Sequence, residues 1–203
     1  MSILVRHLGE VDYHDVWQKM QDFTDTRQKD TPDELWFLQH PSVYTLGKNG
    51  KPEHVLNAAE TPVINVDRGG QVTYHGPGQI VVYTLLDLTR MKIGVRDLVT
   101  MLEQTIVELL GGYGVTATAR REAPGVYVND AKIAALGLRV RKGRSFHGLA
   151  LNVDMNLEPF TRINPCGYEG LVVTQVKDLV SDITIESVTD DLQRRLINKF
   201  SYE

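Results

Sequence analysis

Apolar residues recur at helical spacing in three segments of the chain. In the first segment Asp12 stands where a helix cap would, just before an apolar stripe formed by Tyr13, Val16, Trp17, Met20 and Phe23. The second runs from Val95 to Leu109 and meets glycines at positions 111 and 112, which typically end a helix. The third extends from Ile185 to Phe200. The spacing predicts three amphipathic helices.

Between these segments the pattern changes to short runs that are rich in β-branched and aromatic residues. The runs are ELWFLQHPSVYTLG, PVINVD, IVVYTLLDL, GVYV, KIAALGLRV and FHGLALNVD. Several of them follow one another at the distance of a β-hairpin. Because these runs outnumber the helices, we predict an α+β fold with a mixed, largely antiparallel sheet flanked by helices.

The composition narrows the class of protein. The chain has 203 residues, 42% hydrophobic and 24% charged, which fits one soluble globular domain over residues 1–203. Its net charge of −4 argues against general affinity for nucleic acid. The first residues, MSILVRHLGEVDYHDVW, contain no long apolar run, so we expect neither a signal peptide nor a membrane span. We take a monomer as the default.

The chain contains one cysteine, Cys166, in the segment INPCGYEG. A single thiol forms no internal disulfide, which favours a reducing compartment such as the cytoplasm. Asn164 and Pro165 before it and Gly167 after it are typical turn residues, so a thiol held out on a bend competes with a small buried hydrophobe. A free thiol, with a pKa of about 8.5, is only a few per cent thiolate at pH 7, and a neighbouring ammonium would favour the nucleophilic thiolate.

Lys132 is the candidate for that ammonium. It opens the otherwise apolar run KIAALGL, in which the small residues at positions 134, 135 and 137 leave room for a ligand. A solvated lysine at a strand edge is the alternative. The next turn carries a basic cluster that is either solvated or a docking patch for an acidic partner: Arg139, Arg141, Lys142 and Arg144. His147 alone is more often structural than catalytic.

A glycine-rich stretch, DRGGQVTYHGPGQ, precedes the run IVVYTLLDL. Gly69 and Gly70 allow a ligand to approach the main chain closely, and Gly76 to Gly78 form a second turn. Polar and aromatic side chains lie between the two turns, which favours a ligand loop, although a glycine-rich hairpin is also possible. The spacing matches neither a Walker loop nor a Rossmann fingerprint.

Taken together, three of these segments resemble the lipoate-protein octanoyltransferases in order and spacing. They are RGGQVTYHGPGQ, the lysine of AKIAALGLRV with the following SFHGLALNV, and INPCGYEG. The resemblance begins at QHPSVYTLGK and extends to the Cys166 loop. It implies a fold similar to the catalytic domains of biotin protein ligases and lipoate ligases.

The resemblance also implies an activity. Members of this family move an octanoyl group from acyl carrier protein to a lysine of lipoyl domains, such as those of 2-oxo acid dehydrogenase E2 subunits and the glycine-cleavage H protein. This is the first step of endogenous lipoate assembly. We expect no ATP, because exchange between thioesters is nearly balanced and transfer to an amine is downhill. We expect no metal, because the six histidines include no helix-spaced pair.

Carried over residue by residue, the resemblance makes Cys166 the nucleophile and Lys132 the group that activates it. Its acyl pocket falls on Arg68, Gly69, Gly70, Gln71, Val72, Thr73, Tyr74, His75, Ala135, Leu136, Gly137, Gly148, Leu149 and Ala150. We predict supporting roles for His147 and Gly78. Backbone N–H groups near Gly78 or Gly167 are candidates for the oxyanion hole.

Other activities stay open at this point. An ATP-dependent lipoate or biotin ligase would share the fold but needs no thiol. A non-catalytic protein that binds acyl carrier or lipoyl domains would lack a reactive Cys166. A papain-like hydrolase is a weaker alternative, because its nucleophile opens a helix.

Overall fold

A computed structural model describes residues 3–201. Within them the chain forms ten strands and four α-helices. The strands are β1 (Leu4–Glu10), β2 (Glu34–Gln39), β3 (Val43–Leu46), β4 (Val63–Asn65), β5 (Val72–His75), β6 (Gln79–Leu85), β7 (Thr118–Ala119), β8 (Gly125–Val128), β9 (Ala131–Arg141) and β10 (Arg144–Asn152). The helices are α1 (Tyr13–Thr26), α2 (Leu88–Met91), α3 (Val95–Gly112) and α4 (Ile185–Phe200).

The three predicted helices are confirmed as α1, α3 and α4. Asp12 caps α1 by accepting the backbone N–H groups of His14 and Asp15. The short helix α2 was not predicted. Strand β6 ends at Leu85, before the run IVVYTLLDL ends. The reason is Asp87, whose side chain accepts the Arg90 N–H and starts a helical turn there.

The strands form two sheets, which confirms the mixed, largely antiparallel arrangement. The large sheet has seven strands in the order β1-β2-β6-β10-β9-β8-β7, and the small sheet has the order β4-β3-β5. In the large sheet β1 and β2 are parallel and the other pairs are antiparallel. The run ELWFLQHPSVYTLG is therefore divided between the two sheets. The patterns did not predict β1, β5 or β7.

The two faces of the large sheet are covered differently. Alternation along β6 sends Ile80 and Val82 into the core beneath α3 and α4. Val81 and Tyr83 point to the opposite face, where α1 packs. The small sheet stands on this second side with a core of its own. A cleft lies between the two sheets, and it contains the candidate site.

No α-helix among residues 3–201 combines the length and the apolar character that crossing a membrane requires.

Candidate active site

The cleft has a floor of small residues from the large sheet. Strand register places two rows side by side: Ala135, Ala150 and Val81 in the first, and Gly137, Gly148 and Tyr83 in the second. The opposite wall comes from β5 and the preceding loop, and Cys166 stands at one end. The cleft is lined mostly by apolar atoms. Such a space suits a linear acyl chain.

Lys132 and Cys166 meet at the reactive end of this cleft. The Lys132 Nζ atom lies 2.8 Å from the Cys166 Sγ atom, although 34 residues separate them along the chain. Lys132 is only 4% exposed, so the prediction of a solvated edge lysine is wrong. Cys166 is half-buried. The buried amine thus has the thiol as its neighbour.

The surroundings of Lys132 hold its amine in place. Besides Cys166, Nζ donates a hydrogen bond to the Pro124 carbonyl (3.1 Å) and lies 5.2 Å from the centre of the Tyr127 ring. Gly125 leaves space for it, because a Cβ there would stand 2.9 Å from the Lys132 Cε. Burial lowers the pKa of Lys132, but the charge of Cys166 and its hydrogen bond outweigh burial and raise the pKa above its ordinary value.

Cys166 occupies a tight turn rather than the core. Its φ of 58° is in the left-handed region, which non-glycine residues rarely adopt. The Gly167 N–H donates to the Asn164 carbonyl (2.9 Å), and the Tyr168 N–H donates to the Pro165 carbonyl (3.1 Å). The Asn164 N–H in turn donates to the His54 carbonyl (2.8 Å), which ties the turn to a neighbouring segment. The interpretation as a thiol on a bend is confirmed.

Arg68 lies buried along the wall of the cleft. Its guanidinium donates to the Thr45 carbonyl (2.7 Å), the Thr45 hydroxyl (2.8 Å) and the Gly69 carbonyl (2.9 Å). No carboxylate of the described residues lies within ion-pair distance of it. Burial therefore lowers the pKa of Arg68, although a guanidinium stays protonated.

Three buried histidines lie near the other end of the cleft: His75 and His147 line it, and His40 packs behind them against His75 and Tyr83. His40 Nδ1 lies 2.8 Å from the Val11 carbonyl and therefore donates to it, so Nε2 accepts the Tyr83 hydroxyl proton (2.7 Å). His75 Nδ1 donates in the same way to the Gln79 Oε1 (2.7 Å). Burial lowers the pKa of His40 to about 4 and holds the pKa of His75 well below its ordinary value.

His147 is the third of these histidines and has an acidic partner. Its Nε2 lies 2.9 Å from the Asp67 carboxylate, which also accepts the Trp17 indole N–H (2.9 Å). Burial lowers the pKa of His147 even though Asp67 opposes this. Burial on its own would raise the pKa of Asp67, but the hydrogen bonds lower it to about 2.

A family model described as "Lipoyl protein ligase A/B catalytic domain" matches residues 12–197. The chain belongs to this family. An octanoyltransferase of Hahella chejuensis is 62% identical over 189 residues, which cover 93% of this chain and 84% of that protein. An octanoyltransferase of Stutzerimonas stutzeri is 60% identical over 198 residues, or 98% of this chain and 90% of that protein.

Solved structures agree on the fold. A lipoate-protein ligase A bound with ATP superposes with a TM-score of 0.81 at 16% identity, over 98% of this chain and 85% of that one. A biotin protein ligase from Aquifex aeolicus gives a TM-score of 0.56 at 11% identity, over 98% of this chain and 69% of that one. The expected likeness to lipoate and biotin ligase catalytic domains is confirmed.

Most of the residues that the family resemblance assigned to the acyl pocket line the cleft. They are Arg68, Gly70, Gln71, Val72, Thr73, His75, Ala135, Leu136, Gly137, Gly148, Leu149 and Ala150. Tyr74 does not, because alternation along β5 turns its ring toward Tyr44 and Phe160 in the small-sheet core. Gly69 is also absent from the lining; its N–H donates to the Leu138 carbonyl. The catalytic and binding roles themselves stay predictions.

The backbone N–H groups of Gly78 and Gly167 are both already engaged. The Gly78 N–H donates to the Gln39 side chain (2.7 Å), and the Gly167 N–H closes the Cys166 turn, so neither is available to an oxyanion. In contrast, Tyr13, Val81 and Tyr83 line the cleft without having been predicted. For β6 the signal was its alternating pattern, which puts positions 81 and 83 on one face. Nothing near Tyr13 in the sequence pointed to the cleft.

The basic cluster forms the predicted turn between β9 and β10, and two of its four members are paired. Arg141 contacts Asp25 (2.5 Å) and Asp67 (3.6 Å), and Arg144 lies 3.8 Å from Asp87. This pairing weakens the case for a docking patch. Among residues 3–201, no group of three or more metal-ligating side chains comes together. The expectation that no metal is needed stays a prediction.

Proposed function

We propose that this protein is an octanoyltransferase that carries the octanoyl group on Cys166. The observation that carries the proposal is the 2.8 Å contact between the Lys132 Nζ and Cys166 Sγ atoms at the mouth of an apolar cleft. The relatives named octanoyltransferase, at about 60% identity over nearly the whole chain, support the same activity.

In the first half-reaction the Cys166 thiolate attacks the thioester carbonyl of octanoyl-acyl carrier protein. The tetrahedral intermediate then expels the carrier thiolate and leaves an octanoyl thioester on Cys166. The Lys132 ammonium donates a proton to the departing thiolate, so the carrier leaves as a thiol and Lys132 becomes a neutral amine.

In the second half-reaction the amine of a lipoyl-domain lysine attacks the Cys166 thioester. Neutral Lys132 removes a proton from the attacking nitrogen, an amide forms, and Cys166 departs as a thiolate beside a restored ammonium. The two half-reactions return both groups to their starting state. No net proton is lost, and the sequence of bonds formed needs no ATP and no metal.

The floor of the cleft supports an acyl chain as the group transferred. Gly137, Gly148 and the two alanines beside them leave a channel along β9 and β10 that begins near Lys132. Each methylene buried there contributes about 0.8 kcal/mol, so an eight-carbon chain gains several kcal/mol.

The proposed donor and acceptors follow from this chemistry. The donor is octanoyl-acyl carrier protein, and the acceptors are lipoyl domains of 2-oxo acid dehydrogenase E2 subunits and the glycine-cleavage H protein. We also propose a cytoplasmic location, which is supported by the dependence of the mechanism on a reduced thiol.

Intact-mass measurement tests the proposal. Wild type mixed with octanoyl-acyl carrier protein, without ATP, should gain one octanoyl group that hydroxylamine removes. Added lipoyl domain should discharge it onto the domain's lysine. Cys166→Ser should neither hold the thioester nor support transfer. Normal transfer by Cys166→Ser would overturn the role of Cys166 as the carrier of the octanoyl group, and transfer only from free octanoate with ATP would replace this proposal with the ligase activity.

A further inference from the structure

Both half-reactions place a negative charge on the carbonyl oxygen of the acyl group. Stabilising that oxyanion requires N–H or O–H donors about 2.7–3.1 Å from it, held in place before the reaction. The Gly78 and Gly167 N–H groups are already engaged, as described above. The donors must therefore be polar hydrogens next to Cys166 that the protein itself leaves unpaired.

The backbone N–H of Cys166 is one such donor. In the turn from Asn164 to Gly167 the hydrogen bond joins the first and last residues. The two central residues of such a turn do not contribute N–H groups to it, and one of them is Pro165, which has none. No described residue accepts the Cys166 N–H. A nucleophile's own N–H is well placed for an oxyanion because its nitrogen is bonded to the same Cα atom that carries the reactive side chain.

The carboxamide of Gln71 is the second donor. Its Oε1 accepts the Lys51 backbone N–H (3.1 Å), which fixes the plane of the amide. Its Nε2 has no hydrogen-bond partner among the described residues. The side chain packs against the Cys166 turn: a Cβ added to Gly167 would stand 3.4 Å from the Gln71 Cγ and 3.5 Å from its Cδ. Gln71 and Cys166 line the same cleft.

Most other donors near the thiol are already used, and His54, whose Nε2 would stand as close to a Cβ on Gly167 as the Gln71 Cγ does (3.4 Å), does not line the cleft. The Lys132 amine donates to Cys166 and to Pro124, and its remaining role in the mechanism is to move protons. Arg68 directs its N–H groups to Thr45 and Gly69. The Thr73 hydroxyl also lines the cleft, but the Cys166 turn packs against Gln71.

We propose that the Cys166 backbone N–H and the Gln71 Nε2 together form the oxyanion hole. The assignment rests on the proposed acyl transfer and names a further catalytic residue for it. Gln71 then has a role distinct from holding the acyl chain, since it contacts the oxygen that changes charge.

The test compares acylation with alkylation of the same thiol. Gln71→Met keeps the length of the side chain and removes its N–H donor. Its single-turnover acylation by octanoyl-acyl carrier protein should be slower by roughly 10²–10³-fold, the usual cost of one oxyanion donor. Alkylation of Cys166 by iodoacetamide should stay within about twofold of wild type, because displacement of iodide creates no oxyanion. Gln104→Met, on an exposed part of α3, is the matched control.

A second readout addresses the oxygen directly. In the acyl-enzyme made from octanoyl-acyl carrier protein labelled with ¹³C at the acyl carbonyl, two hydrogen bonds should lower the carbonyl stretching frequency. Gln71→Met should raise this frequency toward the value of a thioester in an apolar solvent. The rise should be partial, because the hydrogen bond from the Cys166 N–H remains.

Each other outcome has a defined meaning. Acylation of Gln71→Met at the wild-type rate overturns the assignment, and so does an equal fall in acylation and alkylation, which would indicate a structural role. A larger acylation defect in Thr73→Val than in Gln71→Met would transfer the role to Thr73. Wild type that forms no octanoyl adduct at all would instead refute the proposed function.

Discussion

The two ends of the cleft bury ionisable groups to a similar degree, but the pKa values of these groups shift in opposite directions relative to what burial alone would give. At the reactive end burial alone would lower the pKa of Lys132, yet the pKa is raised. At the other end burial prevails and lowers the pKa values of His40, His75 and His147. For His147 burial outweighs the neighbouring Asp67 carboxylate; for His40 and His75 the difference from Lys132 is the neighbour. Lys132 contacts a thiol that can become an anion, whereas His40 and His75 contact neutral groups.

The same comparison explains the neutral end. His40 and His75 each donate to an uncharged oxygen, so a proton added to either ring would lack a counter-ion. Their unprotonated forms fit a wall that faces an uncharged acyl chain. Of the buried cations that line or flank the cleft, Lys132 keeps its charge beside Cys166, and Arg68, which cannot lose its proton, binds carbonyl and hydroxyl oxygens.

Removing the charge at the reactive end should have the largest effect. In Lys132→Met a side chain of similar length loses its ammonium, so the thiolate loses its partner and the leaving thiolate loses its proton donor. We expect octanoyl transfer to fall roughly 10²–10⁴-fold. Alkylation of Cys166 by iodoacetamide at pH 7 should also slow, in contrast to Gln71→Met.

Lys142→Met provides the control, because Lys142 is exposed on the turn between β9 and β10. It should transfer octanoyl at the wild-type rate. Thermal unfolding of both variants would exclude a loss of fold as the cause. Lys132→Met with more than a tenth of wild-type activity would contradict the assigned role.

The neutral end should make the fold sensitive to acid. A histidine whose pKa is lowered by folding binds its proton in the unfolded chain first, so the free energy of unfolding decreases as pH falls from about 6.5 towards the folded value. For His40, with a pKa of about 4 in the folded state, the total loss in the free energy of unfolding is about 3 kcal/mol. A plot of the free energy of unfolding against pH should therefore be less steep for His40→Gln than for wild type, by about 1.4 kcal/mol per pH unit between pH 6 and 4.5.

Urea unfolding at several pH values measures this slope. His14→Gln is the matched control, since His14 is exposed on the first turn of α1. It should leave the slope at the wild-type value. An equal slope in wild type and His40→Gln would mean that folding does not lower the pKa of His40. The two ends of the cleft would then not differ in the way described.

Much of the fold followed from periodicity, because α1, α3 and α4 each bury one regular stripe. The sheet was harder to predict. A run such as ELWFLQHPSVYTLG gives no sign that a turn at His40 to Ser42 sends its halves into different sheets. The helix α2 could not be predicted for a related reason. Its cap is the hydrogen bond from the Arg90 N–H to the Asp87 side chain, and that N–H is in position only once the turn has folded.

For the site, the motifs placed Cys166 and Lys132 in the right neighbourhood, but no pattern could supply the 2.8 Å contact. That contact depends on the segment after Cys166 running beside β9, where the Lys132 N–H donates to the Val172 carbonyl. The choice of oxyanion donors meets a similar limit. Glycine content suggested available N–H groups, whereas availability depends on what each N–H already bonds.

Two glycines in the middle of the cleft, between its ends, should respond differently to one added methyl group. A Cβ on Gly148 would stand 1.9 Å from the Val82 carbonyl oxygen, so Gly148→Ala should lose about 1–3 kcal/mol of stability. A Cβ on Gly137 would stand 3.0 Å from the Arg68 Cδ and 3.2 Å from the Gly69 carbonyl oxygen, contacts that shifts of a few tenths of an ångström relieve. Gly137→Ala should therefore fold and narrow the acyl channel.

Acylation with six- and eight-carbon donors tests this difference. We expect Gly137→Ala to lower the octanoyl rate about fourfold relative to the hexanoyl rate, the value of one buried methylene. Ala134→Val, on the opposite face of β9, should not change that ratio because Ala134 packs in the core beneath α3. An unchanged ratio in Gly137→Ala would mean that the chain lies elsewhere.

The smallest effect concerns the turn that presents the thiol. Because Cys166 has a φ of 58°, any residue with a Cβ is strained there, and glycine is not. Cys166→Gly should therefore be more stable than Cys166→Ala by about 1 kcal/mol, although both are inactive. At Ala134, in the regular strand β9, the same comparison should have the opposite sign, since glycine weakens a strand and leaves the core underpacked. Thermal unfolding measures both pairs. Equal stability of the two Cys166 variants would show that the nucleophile is held without strain, and that the reactive end differs from the rest of the cleft in charge alone.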